Sequence, residues 1–564
     1  MQRDLAELTK NAYELLVIGG GIYGACIAWE ASLRGLSVAL LEKGDFGEAT
    51  SANSLKTIHG GLRYLQHADL KRMRESIYER TTLMRIAPHL IHPLPVLLPT
   101  YGSGIKGKEV LSVALFLNDL ISCDRNWIKD PQKHIPNGRI FSKQECQSLL
   151  PGISSQGLTG GALFYDAQVY NSERLTISFL RKAQQTGAAV ANYVEVIGFM
   201  QSGNCVTGVR VRDSLTGDRF DIQAKTVVNT SGPWVNRVLD LVKGSKTRCQ
   251  VSLAKAMNLV IRRPLFKNYA VGISSQKSYS DPDAVINKGS RLLFVAPWRG
   301  KSMIGTNYSV YDGDPDDFQV TENDIQAFLN EINQAYPPAS LKMEDVDFVH
   351  GGLLPRSGIE PKTGEPLLSK HYQLHDHSQE GLLGLISVVG VKYTTARDVA
   401  QKVIDRVFKS WGKKPPKSLS ATTPVYGGEI EKFETFLDEA IANAPYGLDE
   451  EIMRRLVYNY GSAYPEVLKY LESNLDRDQK FLDNLDVIKA EVIHGVREEM
   501  AQKLTDVVFR RTELGSAGYP GNKALHICAQ TMAAELGWSL SQIQQELQEV
   551  SNASKSHCLV REEV

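Results

Sequence analysis

Apolar residues near the start of the chain fall into two short continuous runs on either side of a helical pattern. The first run is Leu15 to Ile18 and the second Val38 to Leu41, with apolar residues at helical spacing between them, through Arg34. Short continuous runs flanking an amphipathic helix predict a βαβ unit whose strands are buried on both faces. The turn out of the first strand is Gly19-Gly20-Gly21-Ile22-Tyr23-Gly24, and the second strand closes on Glu42. In this setting each glycine has a physical task. Gly19 permits the tight turn, Gly21 lets a pyrophosphate approach the backbone, and Gly24 lets the helix pack on the strand. The helix N-terminus offers free N–H groups to phosphates, and Glu42 can accept from a ribose diol. A dinucleotide site is expected here.

The same reading extends along the chain. A polar stretch over 43–57 leads into His59-Gly60-Gly61-Leu62-Arg63-Tyr64, and a helix is expected over 69–86, stopping before Pro88. Residues 93–150 read as irregular, rich in Pro and Gly, with one short apolar run over 110–121. A helix over 172–187 and a strand over 188–197 follow. Next come a hairpin over 205–224 and a parallel-type strand over 226–229, which runs into Thr230-Ser231-Gly232. From 251 to 348 alternating runs predict antiparallel strands around one helix at 322–336. A strand over 383–389 and a helix over 396–411 return to the first pattern. Beyond 413–424 the chain reads as helical, and in 491–510 the apolar residues Val492, Val496, Met500, Leu504 and Val508 step by four. The expected fold is a discontinuous α/β Rossmann-type domain, with an antiparallel β-sheet domain inserted and a helical domain appended. Expected boundaries are 12–75, 155–250 and 375–412 for the dinucleotide domain, and 76–154 and 251–374 for the substrate domain. Residues 413–424 form a linker and 425–555 the helical domain.

Charge and composition narrow the function. Lys plus Arg equals Asp plus Glu at 64 each in 564 residues, which argues against a broad nucleic-acid footprint. The seven cysteines show no CxxC or metal-ligand spacing, so reduced thiols and a cytoplasmic setting are expected. The N-terminus carries no apolar signal-peptide core. The run over 110–121 is too short to span a bilayer. A buried core helix is the leading expectation for it; the other is a helix lying on a membrane, peripherally on its inner face, or against a partner.

Together these segments resemble the FAD-dependent glycerol-3-phosphate dehydrogenases and oxidases, within the wider D-amino-acid-oxidase-like flavoproteins. The resemblance rests on VIGGGIYGACIAWEASLRGLSVALLEKGDF, ATSANSLKTIHGGLRYL, VVNTSGPWV, FVAPWRGKSMIGTN, VKYTTARDVA and AEVIHGVREEMAQKLTDVVFRRTELG. It implies non-covalent FAD. Gly19, Gly21 and Gly24 would cradle the pyrophosphate and Glu42 the ribose. Thr50, Ser51 and Ser54 would lie along the ribityl chain, Val196 by the adenine and Gly232 by the phosphate turn. Gly390, Lys392 and Thr394 would lie at the flavin, with Lys392 at the N1–C2=O edge, where negative charge appears on reduction. A phosphorylated secondary alcohol is the implied substrate, and quinone, oxygen or another carrier the electron acceptor. Arg63 is the implied phosphate ligand, Tyr64 a hydroxyl donor and His59 the proton acceptor. A purely structural His59, bonded to the Gly-Gly turn, is the competing reading.

Three positions depart from the family pattern. G-[VL]-R-P-L appears as Gly352-Leu353-Leu354-Pro355-Arg356, K-G-S-H as Lys255-Ala256-Met257-Asn258, and G-T-T-D as Gly305-Thr306-Asn307-Tyr308. Two residues along a strand share a face about 7 Å apart, so Arg356 is expected to stand in for the arginine missing at Leu354. Two functional readings stay open: oxidation of sn-glycerol 3-phosphate to dihydroxyacetone phosphate, and a flavin enzyme acting on a different polyol phosphate, hydroxy acid or amine.

Overall fold

The computed structural model describes residues 1–102, 108–244, 247–277, 291–471, 480–482 and 485–557. Within these, the side chains of Arg63, Gln66 and His67, and of 108–110, 480–482, 485, 556 and 557, are not described.

The opening βαβ unit forms as its pattern dictates. Strand Tyr13–Ile18 pairs in parallel with Val38–Leu41 on one side and with Arg219–Asn229 on the other. Leu385–Val389 and Ala189–Ala191 extend this sheet in parallel, and Gln373–Asp376 closes one edge antiparallel. Helices Ile22–Leu33, Ser172–Gln185 and Ala396–Ser410 cover it and bury Trp29 against Phe179. The expected strand over 188–197 is two strands, Ala189–Ala191 and Val194–Ser202. Tyr193 breaks it at a φ of 56° and sends the second half into a hairpin with Cys205–Asp213.

The second sheet has ten strands and draws on more of the chain than the pattern indicates. Its order runs Pro366–Leu368, Val346–Ile359, Ser252–Ile261, Lys301–Tyr311, Leu292–Trp298, Ala270–Ser274, Ile91–Tyr101, Leu158–Val169, Thr57–Ile58, with Arg139–Ser142 paired to Leu158–Val169. Two expectations are corrected here. Residues 91–101 are a strand despite Pro93, Pro95 and Pro99. Successive N–H groups along a strand alternate edges, so prolines at odd positions all strip donors from one edge. The strand pairs with Leu158–Val169 along its whole length, and with Ala270–Ser274 only at Val96 and Leu97. Residues 158–169 therefore pair in this sheet, not in the parallel one as a boundary at 155 implies.

Two helical expectations also change. Lys108–Ile121 is a helix, but Val113, Phe116, Leu117 and Leu120 are exposed and, among its described side chains, only Leu115 is buried, so it is not a core helix. The step-by-four segment is not one helix either. Lys489–Glu499 ends where Met500 takes a φ of 57°, and the chain restarts as Leu504–Asp506 and a π-helical turn, Val507–Arg511. This irregular turn packs onto the dinucleotide-binding domain, where buried ion pairs override the helical period. No helix among the described residues is long and apolar enough to cross a membrane.

Candidate active site

The phosphate turn is built around its missing side chains. Gly19 takes a φ of +103°, and a Cβ there would lie 2.8 Å from the Thr230 carbonyl oxygen. A Cβ on Gly24 would lie 1.9 Å from the Gly19 oxygen, a contact no side chain tolerates. Gly21 caps helix Ile22–Leu33, which carries no acid in its first turn, so its N-terminal dipole faces the turn uncompensated. The Ser51 hydroxyl accepts from the Ile22 N–H at 3.0 Å. Glu42 closes the strand and accepts from the Gly20 N–H (2.7 Å) and the Gly44 N–H (2.9 Å). Burial pushes its carboxyl up from the usual range against those two donors.

These groups line one cavity of about 1710 Å³. Its walls include Glu42, residues 194–197 of strand Val194–Ser202, Gly19, Gly21, Thr50, Ser51, Ser54, Gly232, Gly390, Lys392, Thr394, His59 and Tyr64. Gly24 lies behind the turn, where helix meets strand. Thr50 donates its hydroxyl to the Leu353 carbonyl (3.0 Å), and the Ser54 hydroxyl accepts from the Lys56 N–H (3.3 Å). Both serve to shape the loop as well as to line it. The Gly390–Thr394 segment is held by a residue the sequence did not mark. Tyr23 donates its hydroxyl to the Lys392 carbonyl (2.8 Å) and accepts from the N–H groups of Val391 and Lys392 (3.2 Å each). Burial raises the Tyr23 hydroxyl to about 12, so it stays protonated.

His59 is not simply a turn residue. Its Nδ1 donates to Asp166 at 2.9 Å, and half of its side chain stays exposed. Asp166 is buried and also accepts from the Gly60 N–H at 2.6 Å, with the Arg80 guanidinium 3.7 Å away. Burial would raise this carboxyl, but the hydrogen bond and charge of His59, with Arg80 and the Gly60 N–H, hold it below its ordinary value. Asp166 thus fixes the imidazole by Nδ1 and, among the described residues, leaves Nε2 without a hydrogen-bond partner. Nothing in the local sequence ties Asp166 to His59, because their strands meet only in the second sheet, where Ile58 pairs with Ala167.

Several cations line the same cavity as this pair. Lys392 Nζ stands 4.2 Å, and the Arg72 guanidinium 4.9 Å, from the centroid of the Tyr64 ring. Arg72, Lys370 and Arg291 also line the cavity. Arg291 is nearly buried and donates to the Thr306 carbonyl and Asn307 Oδ1, both at 2.8 Å, while its Nε has no partner among the described residues. The side chain of Arg63 lies outside the described residues. Arg356 does not replace the missing arginine: its Nε donates to the Leu253 carbonyl (2.9 Å) and its NH2 to Asp312 (2.7 Å), and it does not line the cavity. The strand carries Leu354 to the wall, while Asp312 and a backbone acceptor draw Arg356 off it. Asn258 accepts from the Thr306 hydroxyl at 2.8 Å.

A doubly wound parallel sheet, a glycine cradle at its switch point and a long cavity reaching a His–Asp pair define a dinucleotide-dependent oxidoreductase. The shape and donors of the cavity fit FAD. The family described as FAD dependent oxidoreductase matches residues 14–391, and the C-terminal domain of alpha-glycerophosphate oxidase matches residues 418–543. The chain is 32% identical to a glycerol-3-phosphate dehydrogenase of Synechocystis sp., over 99% of both chains. It is 31% identical to an aerobic glycerol-3-phosphate dehydrogenase of Staphylococcus epidermidis, covering 90% of this chain and 87% of that one. A glycerol-3-phosphate dehydrogenase from Bacillus halodurans, solved in complex with FAD, superposes with a TM-score of 0.76 at 27% identity, over 99% of this chain and 98% of that one. The chain belongs to the FAD-dependent glycerol-3-phosphate dehydrogenase family.

Proposed function

We propose that the chain oxidises sn-glycerol 3-phosphate to dihydroxyacetone phosphate. The observation that carries this is a His–Asp pair that shares one cavity with the glycine cradle and with several cations. When bound, FAD supplies the acceptor for the hydride leaving the carbinol carbon. His59 Nε2 takes the hydroxyl proton, and Asp166 holds the imidazole in the tautomer that can accept it. Lys370 and Lys392 give the cavity the positive field that a phosphate monoester requires, beside Arg72, whose Nε is paired with Asp69 (2.5 Å), and Arg63 joins them on the strength of the family pattern. The Lys392 ammonium would stabilise negative charge on the bound cofactor. Leu354 and Asn258 supply no charge, so phosphate recognition rests on these other cations.

The electron acceptor is approached through the exposed helix. Leu111 and Ala114 of Lys108–Ile121 line the cavity, and Val113, Phe116, Leu117 and Leu120 form a row at i, i+3, i+4 and i+7 facing solvent. We place this face against a membrane surface, from which a lipid-soluble quinone reaches the cavity.

Anaerobic mixing tests the substrate. The yellow flavoprotein should bleach with sn-glycerol 3-phosphate and stay oxidised with glycerol, amines and hydroxy acids. Bleaching by an amine or hydroxy acid, with none by the phosphate, would establish the other reading.

A further inference from the structure

The C-terminal domain carries a motif, Arg497-Glu498-Glu499 through Arg510-Arg511-Thr512, that touches neither substrate nor cofactor cavity. Its side chains instead reach the loop that follows Glu42. Arg511 donates to both oxygens of Asp45, at 2.6 and 2.8 Å, and Arg510 donates to the same carboxylate. Asp45 and Arg511 are at most 1% exposed. A second tie runs through Tyr193. Its N–H donates to the Gly44 carbonyl (2.9 Å), and its hydroxyl donates to Asp506 (2.7 Å), which also accepts from Arg510 (2.8 Å). A third runs through Asn192, whose amide donates to Asp45 (3.0 Å) and to the Met500 carbonyl (2.9 Å). Gly44, Asp45 and Glu48 line the cavity, and the Gly44 N–H holds Glu42.

We propose that Arg510, Arg511 and Asp506 are positioning residues for the cofactor: the C-terminal domain clamps the loop 43–48 from behind and thereby sets FAD affinity. The physical reason is the cost of a bare carboxylate. Without its arginines Asp45 cannot stay ionised in a dry interior, so it must take a proton or turn outward to water. Turning outward pulls Gly44 off Glu42 and Tyr193 and opens the cradle. The cradle then closes only in a fraction of molecules, and affinity falls by that fraction.

The proposal rests on FAD occupying the cavity, and the test separates the two. Full-length apo-protein is titrated with FAD by flavin fluorescence, and its thermal unfolding is recorded without FAD. Arg511→Met should raise the FAD dissociation constant about tenfold or more. Arg455→Met breaks a buried pair with Glu491 in the same domain, away from the loop, and should lower apo stability while leaving FAD affinity within about twofold. Equal loss of stability in both variants, with FAD affinity unchanged in Arg511→Met, overturns the clamp. Should Arg511→Met fail to fold, Asp506→Asn carries the test: weakening of about threefold supports the clamp, and unchanged affinity overturns it. A wild-type chain that takes up no FAD overturns the cofactor site and the clamp together.

Discussion

At the scale of single residues, Asp166 and Gly24 carry the sharpest expectations. Asp166 touches His59 by one hydrogen bond and contributes nothing to the cavity's positive charge. Asp166→Asn keeps the shape but removes the charge that fixes the imidazole tautomer. Flavin reduction at saturating substrate should slow by roughly 100-fold, the lower end of general-base contributions. The FAD spectrum and substrate half-saturation should hardly move, and stopped-flow reduction measures both. A variant reduced as fast as wild type would return His59 to a structural role. Gly24 is the most intolerant of the cradle glycines, because its missing Cβ would overlap the Gly19 oxygen. Gly24→Ala should push the turn outward at a cost of about 1–3 kcal/mol and yield colourless protein. Isolation of the alanine variant with a full complement of FAD would show that the turn relaxes without loss.

At the scale of elements, helix Lys108–Ile121 separates a surface function from a catalytic one. Fully burying a Phe or Leu side chain is worth roughly 1.5–3 kcal/mol. Placing carboxylates at Phe116 and Leu120 should therefore remove most of any membrane affinity. Phe116→Glu with Leu120→Glu should lower the bound fraction on phospholipid vesicles at least about tenfold. Neither residue lines the cavity, so turnover with a water-soluble dye should stay near wild type. Equal vesicle binding by both proteins would remove the membrane reading and leave the row to a protein partner. The sequence period shows this stripe but not what covers it. Apolar residues at 111, 114 and 115 and at 113, 116, 117 and 120 form two candidate faces. Only the position of the ten-stranded sheet decides that the first faces inward.

At the scale of the whole molecule, buried charges knit the helical domain to the rest. Lys133 shows the pH consequence. It is buried, donates to the Ile91 carbonyl (3.0 Å) and contacts His92 Nδ1 (2.7 Å), with the Phe433 ring of the C-terminal domain 4.6 Å away. Burial lowers it to about 7, with Asp130 and Glu434 opposing. The unfolded chain keeps this proton up to about 10.4. Between these values the unfolded state binds more protons than the folded one, so stability rises with pH. Denaturant unfolding should show that rise from about pH 7 to 10, and Lys133→Met should flatten it. An identical slope in the variant would place the titration elsewhere.

What the sequence determined by itself is local. The run–turn–helix–run pattern and its three glycines specified the βαβ unit and the cradle, because tight turns and close backbone approach demand glycine wherever they occur. Glu42 and Gly390 reach the cavity because each directly follows a parallel strand, Val38–Leu41 and Leu385–Val389, while Val196 and Lys392 were legible only through the family resemblance. Periodicity failed where long-range forces outweighed it, at the proline-bearing strand 91–101 and at Met500. The tertiary structure alone decided partners distant in sequence. It set Asp166 behind His59, Tyr23 under Lys392, and Arg510 and Arg511 against Asp45. It also turned Arg356 toward Asp312 rather than into the cavity. The reason is electrostatic. A buried or half-buried charge goes where an opposite charge waits, and that place is fixed by how sheets and domains meet, not by spacing along the chain.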